Sequence, residues 1–187
     1  MRFNKHSELI GEHAFMSASK YHWLGYDDEK MLTTYKNFLA AEHGTKLHEL
    51  ACSLIKEGIK VQGRKTTFGM YVNDAIGYKM LPEQILFYSY NCFGTADAIS
   101  FRNNFLRIHD LKTGTITPAS IKQLIIYASL FCLEYEIEPN TIDNELRIYQ
   151  NNEIQKYSAS PEEIRGCMDK IIRFDKLLTK VQEEELL

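Results

Sequence analysis

The sequence predicts a mixed α/β chain in which a central sheet is flanked by helices. Three observations predict it. Apolar stripes at helical spacing, with capping signals, occur near both ends and once in the middle. Runs of strand formers fold back on themselves around two Asn-Asn pairs. No Pro/Gly/Ser-rich linker, repeat or low-complexity segment separates the two kinds of element. The 187 residues are thus expected to form a single domain spanning 1–187, long enough to bury a substantial core.

Taken in order, Ser17-Ala18-Ser19 reads as a helix start, leading into an aromatic segment around Tyr21 and Trp23. Residues 28 to about 56 read as one or two helices, with Leu47, Leu50, Ala51, Leu54 and Ile55 forming an apolar stripe. Gly58 and Gly63 punctuate the exit, and the segment up to Lys79 is mixed in character. From 85 to 101 the pattern is strand-like, with a bulge or bend expected at Gly94, and 105 to 111 forms the next strand. Thr117-Pro118 opens a helix that runs to about Tyr135 and is apolar on most sides, hence buried. Residues 145–150 and 153–157 form a second hairpin around Asn151-Asn152. Ser160-Pro161-Glu162-Glu163 combines a capping box with proline at the first helical position and opens a terminal helix to about Glu183.

Composition bounds the function. A net charge of −3 means that any polyanion partner must be held by a local basic surface or through metal ions. The N-terminus lacks the apolar run of a signal peptide and no segment approaches membrane-spanning length, so no membrane partner is expected. Cys52, Cys92, Cys132 and Cys167 are dispersed without a Cys-x-x-Cys pair, which argues for reduced thiols in a cytosolic protein rather than a zinc or iron–sulfur site.

The most informative stretch is GTADAISFRNNFLRIHDLKTG, residues 94–114. If Asn103-Asn104 is the turn, Arg102 faces Phe105 and Asp97 falls directly opposite Asp110. Like charges placed opposite one another destabilise a sheet unless something neutralises them. Alternation puts Lys112 on the face of Asp110, with His109 and Leu111 on the other. Two carboxylates and a lysine therefore converge. That patch is either a solvated surface hairpin with a lysine ion pair or a site for a hard divalent cation, whose preferred ligands are oxygens. Such a cation could orient a phosphodiester and activate water, and an ammonium beside it could stabilise the developing charge.

Two further groups stand out. Gly44-x-x-x-His48-Glu49 places a histidine one helical turn after a glycine, a residue that costs roughly 1 kcal/mol in a helix and so suggests close packing or a nearby ligand. Gln123 and Tyr127 share one face of the buried helix, where Gln123 needs a polar partner; a satisfied core amide and a phosphate- or base-recognising pair both fit.

In order along the chain, GTKLHE (44–49), GTADAI (94–99), HDLKTG (109–114) and QLIIY (123–127) resemble the PD-(D/E)XK nuclease superfamily, in its RecB-like branch, which includes RecB nuclease domains and phage recombination exonucleases. The resemblance covers roughly residues 17–157. It implies a restriction-endonuclease-like α+β core and a DNA nuclease, an exonuclease in particular, dependent on Mg²⁺ or Mn²⁺. Carried over residue by residue, it makes His48, Asp97, Asp110 and the Leu111 carbonyl the metal ligands and Lys112 the catalytic lysine. Gln123 and Tyr127 complete the family's QxxxY motif, expected to organise the site and contact DNA, and Glu49 becomes a minor residue either at the metal or behind its ligands. Ala96 stands where the motif has proline, and the second acid is Asp rather than Glu. The resemblance also implies DNA processing or recombination in a bacterial or phage-infected cytoplasm, with a homo-oligomer or a recombination protein as partner. Arg64, Lys65, Arg102, Arg107 and Lys122 are candidate phosphate contacts. A nuclease-like module that binds nucleic acid or protein without cutting is the alternative, as is the same chemistry on RNA or branched DNA.

Overall fold

The computed structural model describes residues 5–7, 11, 14–62, 65–113 and 120–185. Contacts divide the chain into two compact units, residues 1–43 and 44–187. In the first, a 3₁₀ segment over Ala18–Gly25 follows Ser17, whose side chain makes no capping bond. The Trp23 indole N–H instead donates to the Ser17 carbonyl at 3.0 Å. Helix α1 (Asp28–Glu57) is a single helix of 30 residues that begins in this unit and ends in the other. Asp27 accepts the Lys30 amide at its start, and Phe15, Tyr35 and Phe38 form an aromatic cluster beside its first turns.

The second unit is α+β: a five-stranded mixed sheet flanked by helices, as the sequence predicts. Its elements after α1 are α2 (Thr67–Gly77), β1 (Leu81–Ser89), β2 (Cys92–Arg102), β3 (Phe105–Leu111), α3 (Ser120–Glu134), β4 (Asp143–Gln150), β5 (Glu153–Tyr157) and α4 (Pro161–Glu185). The strands lie in the order β1-β2-β3-β4-β5, with β3 and β4 parallel and every other pair antiparallel. The parallel pair requires a crossover, and α3 supplies it.

Local chemistry explains the boundaries. Helix α1 ends in a Schellman motif: Gly58 takes φ +67°, its N–H reaches the Ile55 carbonyl, and the Ile59 N–H reaches that of Leu54. Both Asn-Asn turns have positive φ at both residues, the condition for the hairpin turn that matches strand twist. Ser160 and Glu163 form the reciprocal capping box, each side chain accepting the other's backbone N–H. Thr117-Pro118 lies outside the described residues.

Two elements differ from expectation. Residues 67–77, read as mixed, form α2: Thr66 caps it by accepting the Gly69 amide, and Tyr71, Val72 and Ala75 are buried at helical spacing. Gly69, Val72, Asn73 and Gly77 are all weak helix formers, so the periodicity prevails through burial rather than propensity. Strand β1 turns into β2 at Tyr90-Asn91, not at Gly94, which sits inside β2 opposite Leu86.

Two apolar clusters sandwich the sheet. Beneath α3 and α4, Leu86, Leu106, Ile108, Leu124, Leu146 and Ile148 pack together. On the other face, Ala51 and Ile55 of α1 and Tyr71, Val72 and Ala75 of α2 meet Ala98, Leu111 and Tyr149. Among the described residues, no helix is long and apolar enough to cross a membrane.

Candidate metal and catalytic site

The β2–β3 hairpin has the expected register, Arg102 facing Phe105 and so on to Ala98 facing His109. One step further, backbone pairing gives way to a side-chain bond: the Leu111 N–H donates to Asp97 Oδ2 at 2.8 Å. The Asp97 carboxylate thus reaches across to the end of β3. Asp110 lies beside it, 2% exposed, and Lys112 Nζ pairs with Asp110 Oδ2 at 3.0 Å. His109 and Leu111 point to the opposite face, where the former meets Tyr149 and the latter joins the α2-side cluster.

Helix α3 holds the lysine. Lys112 Nζ donates to Gln123 Oε1 at 2.9 Å, and Gln123 Nε2 donates to the Tyr127 hydroxyl at 3.2 Å. The (i, i+4) pair is therefore a clamp on Lys112, and the half-buried amide has found its partners. From behind, the Lys112 N–H is fixed to the Tyr149 carbonyl of β4 at 2.9 Å. The ring of Tyr127 rests on Gly94, where an added Cβ would come within 2.9 Å of it. Gly94→Ala is expected to displace Tyr127, cost about 1–3 kcal/mol of stability and loosen the clamp. A thermal melt and a Lys112-dependent activity assay check this, with about a tenfold fall in rate expected.

His48 comes from α1, within the second unit. Its Nδ1 lies 3.5 Å from Asp97 Oδ2, and the bond to Asp97 holds the imidazolium form above the usual histidine range despite burial. The glycine one turn earlier is explained by packing: a Cβ on Gly44 would meet Thr113 Oγ1 at 2.8 Å.

A third carboxylate, which the sequence reading missed, completes the group. Glu83 lies between Pro82, paired with Ala98, and Gln84, paired with Ala96, and so opposite Asp97. Its φ is +53°, a left-handed conformation that costs a non-glycine residue about 1–3 kcal/mol. Strand alternation breaks at the same place. Ala96 and Ala98, two apart, pack in opposite clusters. The irregularity brings one ligand atom each of His48, Glu83 and Asp97 within 4.8 Å of one another. The turn at Tyr90-Asn91 alone would pair Gln84 with Asp97; a bulge between Phe87 and Ser89 shifts the register by one and puts Glu83 there instead.

Asp110 belongs to the same electrostatic unit although its direct partner is Lys112. Burial first, and then the facing Asp97 charge, push its carboxyl up to about 6, while Lys112 and His48 pull the other way. Glu83 is raised for the same two reasons. Tyr71, 2% exposed, lies beneath the group and its hydroxyl is raised by burial and then by Asp97. Asp97 thus raises both of its carboxylate neighbours, and Lys112 and the His48 imidazolium offset these three acids in part. Three carboxylates and an imidazole around the end of β3 suit Mg²⁺ or Mn²⁺. His48, Glu83 and Asp97 are the three brought close enough together to hold an ion, while Asp110, paired with Lys112, adds negative charge beside them.

Of the candidate phosphate contacts, Arg64 lies outside the described residues. Lys65 and Lys122 are exposed, and Arg102 is exposed at the far tip of the hairpin, five residues beyond Asp97. Arg107 is otherwise engaged: its guanidinium lies against both Phe105 and Tyr78, with Glu145 at 3.5 Å. Glu49 is exposed, and its carbonyl accepts the Ser53 hydroxyl. No family model, curated protein or solved structure matches the chain.

Proposed function

We propose that this chain is a Mg²⁺- or Mn²⁺-dependent nuclease that hydrolyses phosphodiester bonds in DNA. The observation that carries the reading is the arrangement of Asp97, Asp110 and Lys112: two facing carboxylates and an ammonium clamped in place by Gln123 and Tyr127. A solvated hairpin has no use for such a clamp. A bound divalent ion would polarise the phosphate and supply the activated water. Glu83, Asp97 and Asp110 would supply the negative field that retains that ion, and His48 would add a neutral imidazole ligand once the ion displaces its proton. Lys112 is placed to offset negative charge gathering on the phosphoryl oxygens. Its ties to Gln123 Oε1 and the Tyr149 carbonyl limit the reorganisation needed when that charge develops.

An exonuclease acting in phage recombination or DNA processing is the particular form favoured by the ordered motif resemblance. The test is a panel of linear duplex, closed circular, single-stranded and branched DNA, and RNA, incubated with Mg²⁺ or Mn²⁺ and with EDTA. The expected result is metal-dependent loss of linear DNA, with circular DNA spared. A wild-type protein that leaves every substrate intact with both metals is a binding module, and the catalytic reading is then wrong.

A further inference from the structure

We propose that the face of β1 and β2 leading away from this site is a stacking shelf for the unpaired end of a DNA strand. The proposal rests on the nuclease reading and adds the form of substrate that the site receives.

Gln84, Leu86 and Tyr88 of β1 and Gly94 and Ala96 of β2 are turned toward α3. Alternation therefore turns Ile85, Phe87, Phe93 and Thr95 to the opposite side of the sheet, the side from which His48 approaches Asp97. Starting at Glu83 and Asp97, this face reads Ile85 beside Thr95, then Phe87 beside Phe93, with Tyr90 at the hairpin tip. Ile85 is 55% exposed, Phe87 40%, Phe93 60% and Tyr90 92%. Phe87 is the hub, 5.6 Å from Tyr90 in an edge-to-face contact and 6.4 Å from Phe93. Three aromatic rings are thus gathered and left open to solvent, which costs free energy unless something covers them.

The occupant follows from charge and position. Among the described residues, the β1 and β2 side chains on this face between the Glu83–Asp97 pair and the tip are uncharged, and the carboxylate at the β1 edge, Glu134, is engaged by the Phe87 N–H at 2.8 Å. With a net charge of −3, the chain has little general electrostatic hold on a polyanion. Stacking of bases on aromatic rings needs no such hold and tolerates any sequence. Duplex DNA hides its base faces within its own stack, whereas an unpaired strand presents them. Four residues separate Phe87 from Glu83, about 13 Å of strand, roughly the span of four stacked nucleotides. A strand lying on the shelf would therefore deliver a phosphodiester to the site a few nucleotides from the stacked bases.

The test uses the full chain in EDTA, so that nothing is cut, with single-stranded oligonucleotides carrying 2-aminopurine three to five nucleotides from either end. Binding is expected to quench the probe near one end and not the other. Phe93→Ala and Phe87→Ala should each weaken binding about tenfold, and the double variant more. A blunt duplex should bind more weakly and respond little to these variants. In Mg²⁺, the shelf variants should raise KM on single-stranded ends and leave kcat near the wild-type value. Thermal melts confirm folding; because both side chains are surface-exposed, Phe87→Leu and Phe93→Leu serve as folded variants that still remove the ring. Absence of quenching in wild type, or binding indifferent to every variant that removes a ring, overturns the shelf. So does a change in sedimentation without a change in DNA binding, which would assign the face to a second copy or a protein partner. Cutting without shelf dependence leaves the nuclease reading standing alone; shelf-dependent binding without cutting leaves the shelf alone.

Discussion

Lys112→Met is expected to lower Mg²⁺-dependent DNA hydrolysis by about a thousandfold without unfolding the protein. The methionine keeps the unbranched stem and removes only the ammonium that touches Asp110 Oδ2 and Gln123 Oε1. Loss of one preorganised donor to a developing oxyanion costs on the order of 10²–10³ in rate. Here the loss also leaves Asp110 buried without its direct counter-charge, which weakens the negative site further. Asp110→Asn should be at least as damaging, because it removes negative charge beside the ion as well as the partner of Lys112. Glu83→Gln should behave differently. Its carboxylate is exposed, so the expected change is about a 10- to 100-fold rise in the metal concentration needed for half-maximal activity, with rate recovered at saturation. Single-turnover cleavage measured across a metal titration separates the two behaviours. An Asp110→Asn protein that cuts as fast as wild type would remove Asp110 from the site.

How much of this was legible beforehand differs from residue to residue, for physical reasons. The β2–β3 hairpin was readable because an Asn-Asn turn sets both the reversal and the register, and register alone brings Asp97 to Asp110. The (i, i+4) spacing of Gln123 and Tyr127 placed both on one face of α3, though not that the face would grip Lys112; that depends on how α3 packs across the sheet. Glu83 was illegible. Its place depends on a turn at Tyr90-Asn91 that carries no glycine, on a bulge between Phe87 and Ser89 that shifts the register by one, and on a left-handed backbone that glutamate does not favour. The sequence also drew attention to Gly94 for the wrong reason, as a bend, when its smallness is what admits the ring of Tyr127. Helix α2 was missed because its residues have poor intrinsic propensity and are helical through burial against β3 and β4.

The pH dependence of stability should separate two adjacent residues whose titrations oppose one another. His109 is fully buried; Tyr149 OH donates to Asp74 Oδ2, so the 3.1 Å contact between that hydroxyl and His109 Nδ1 must be donated by the ring. That leaves Nε2 bare and without a partner among the described residues. Burial, and then the charges of Arg147 and Arg107, push the imidazole down to about 3. Its folded pKa is depressed below the unfolded value, so the unfolded chain binds the extra proton and stability is lost as pH falls below about 6.5. Asp110 is the reverse. Its carboxyl is raised to about 6, so ionisation at neutral pH destabilises the metal-free fold, and stability is regained as pH falls through 6 toward 4. Between pH 7 and pH 5 linkage assigns His109 a loss of about 2 kcal/mol and Asp110 a gain of about 1 kcal/mol. These two groups alone leave a loss of about 1 kcal/mol over that range, which the raised His48 and Glu83, both gaining stability as pH falls, reduce further. The variants should diverge: Asp110→Asn becomes clearly weaker at pH 5 than at pH 7, while His109→Asn becomes more stable at pH 5. Comparing pH slopes, rather than absolute stabilities, cancels both the cavity left by the smaller asparagine and every other group that titrates. Urea unfolding at the two pH values measures these slopes. Parallel slopes for the two variants would mean that the shifts do not arise from these two residues. Adding Mg²⁺ or Mn²⁺ at pH 7 should stabilise wild type more than Asp110→Asn, because the ion relieves the repulsion between Asp97 and Asp110 that asparagine has already removed.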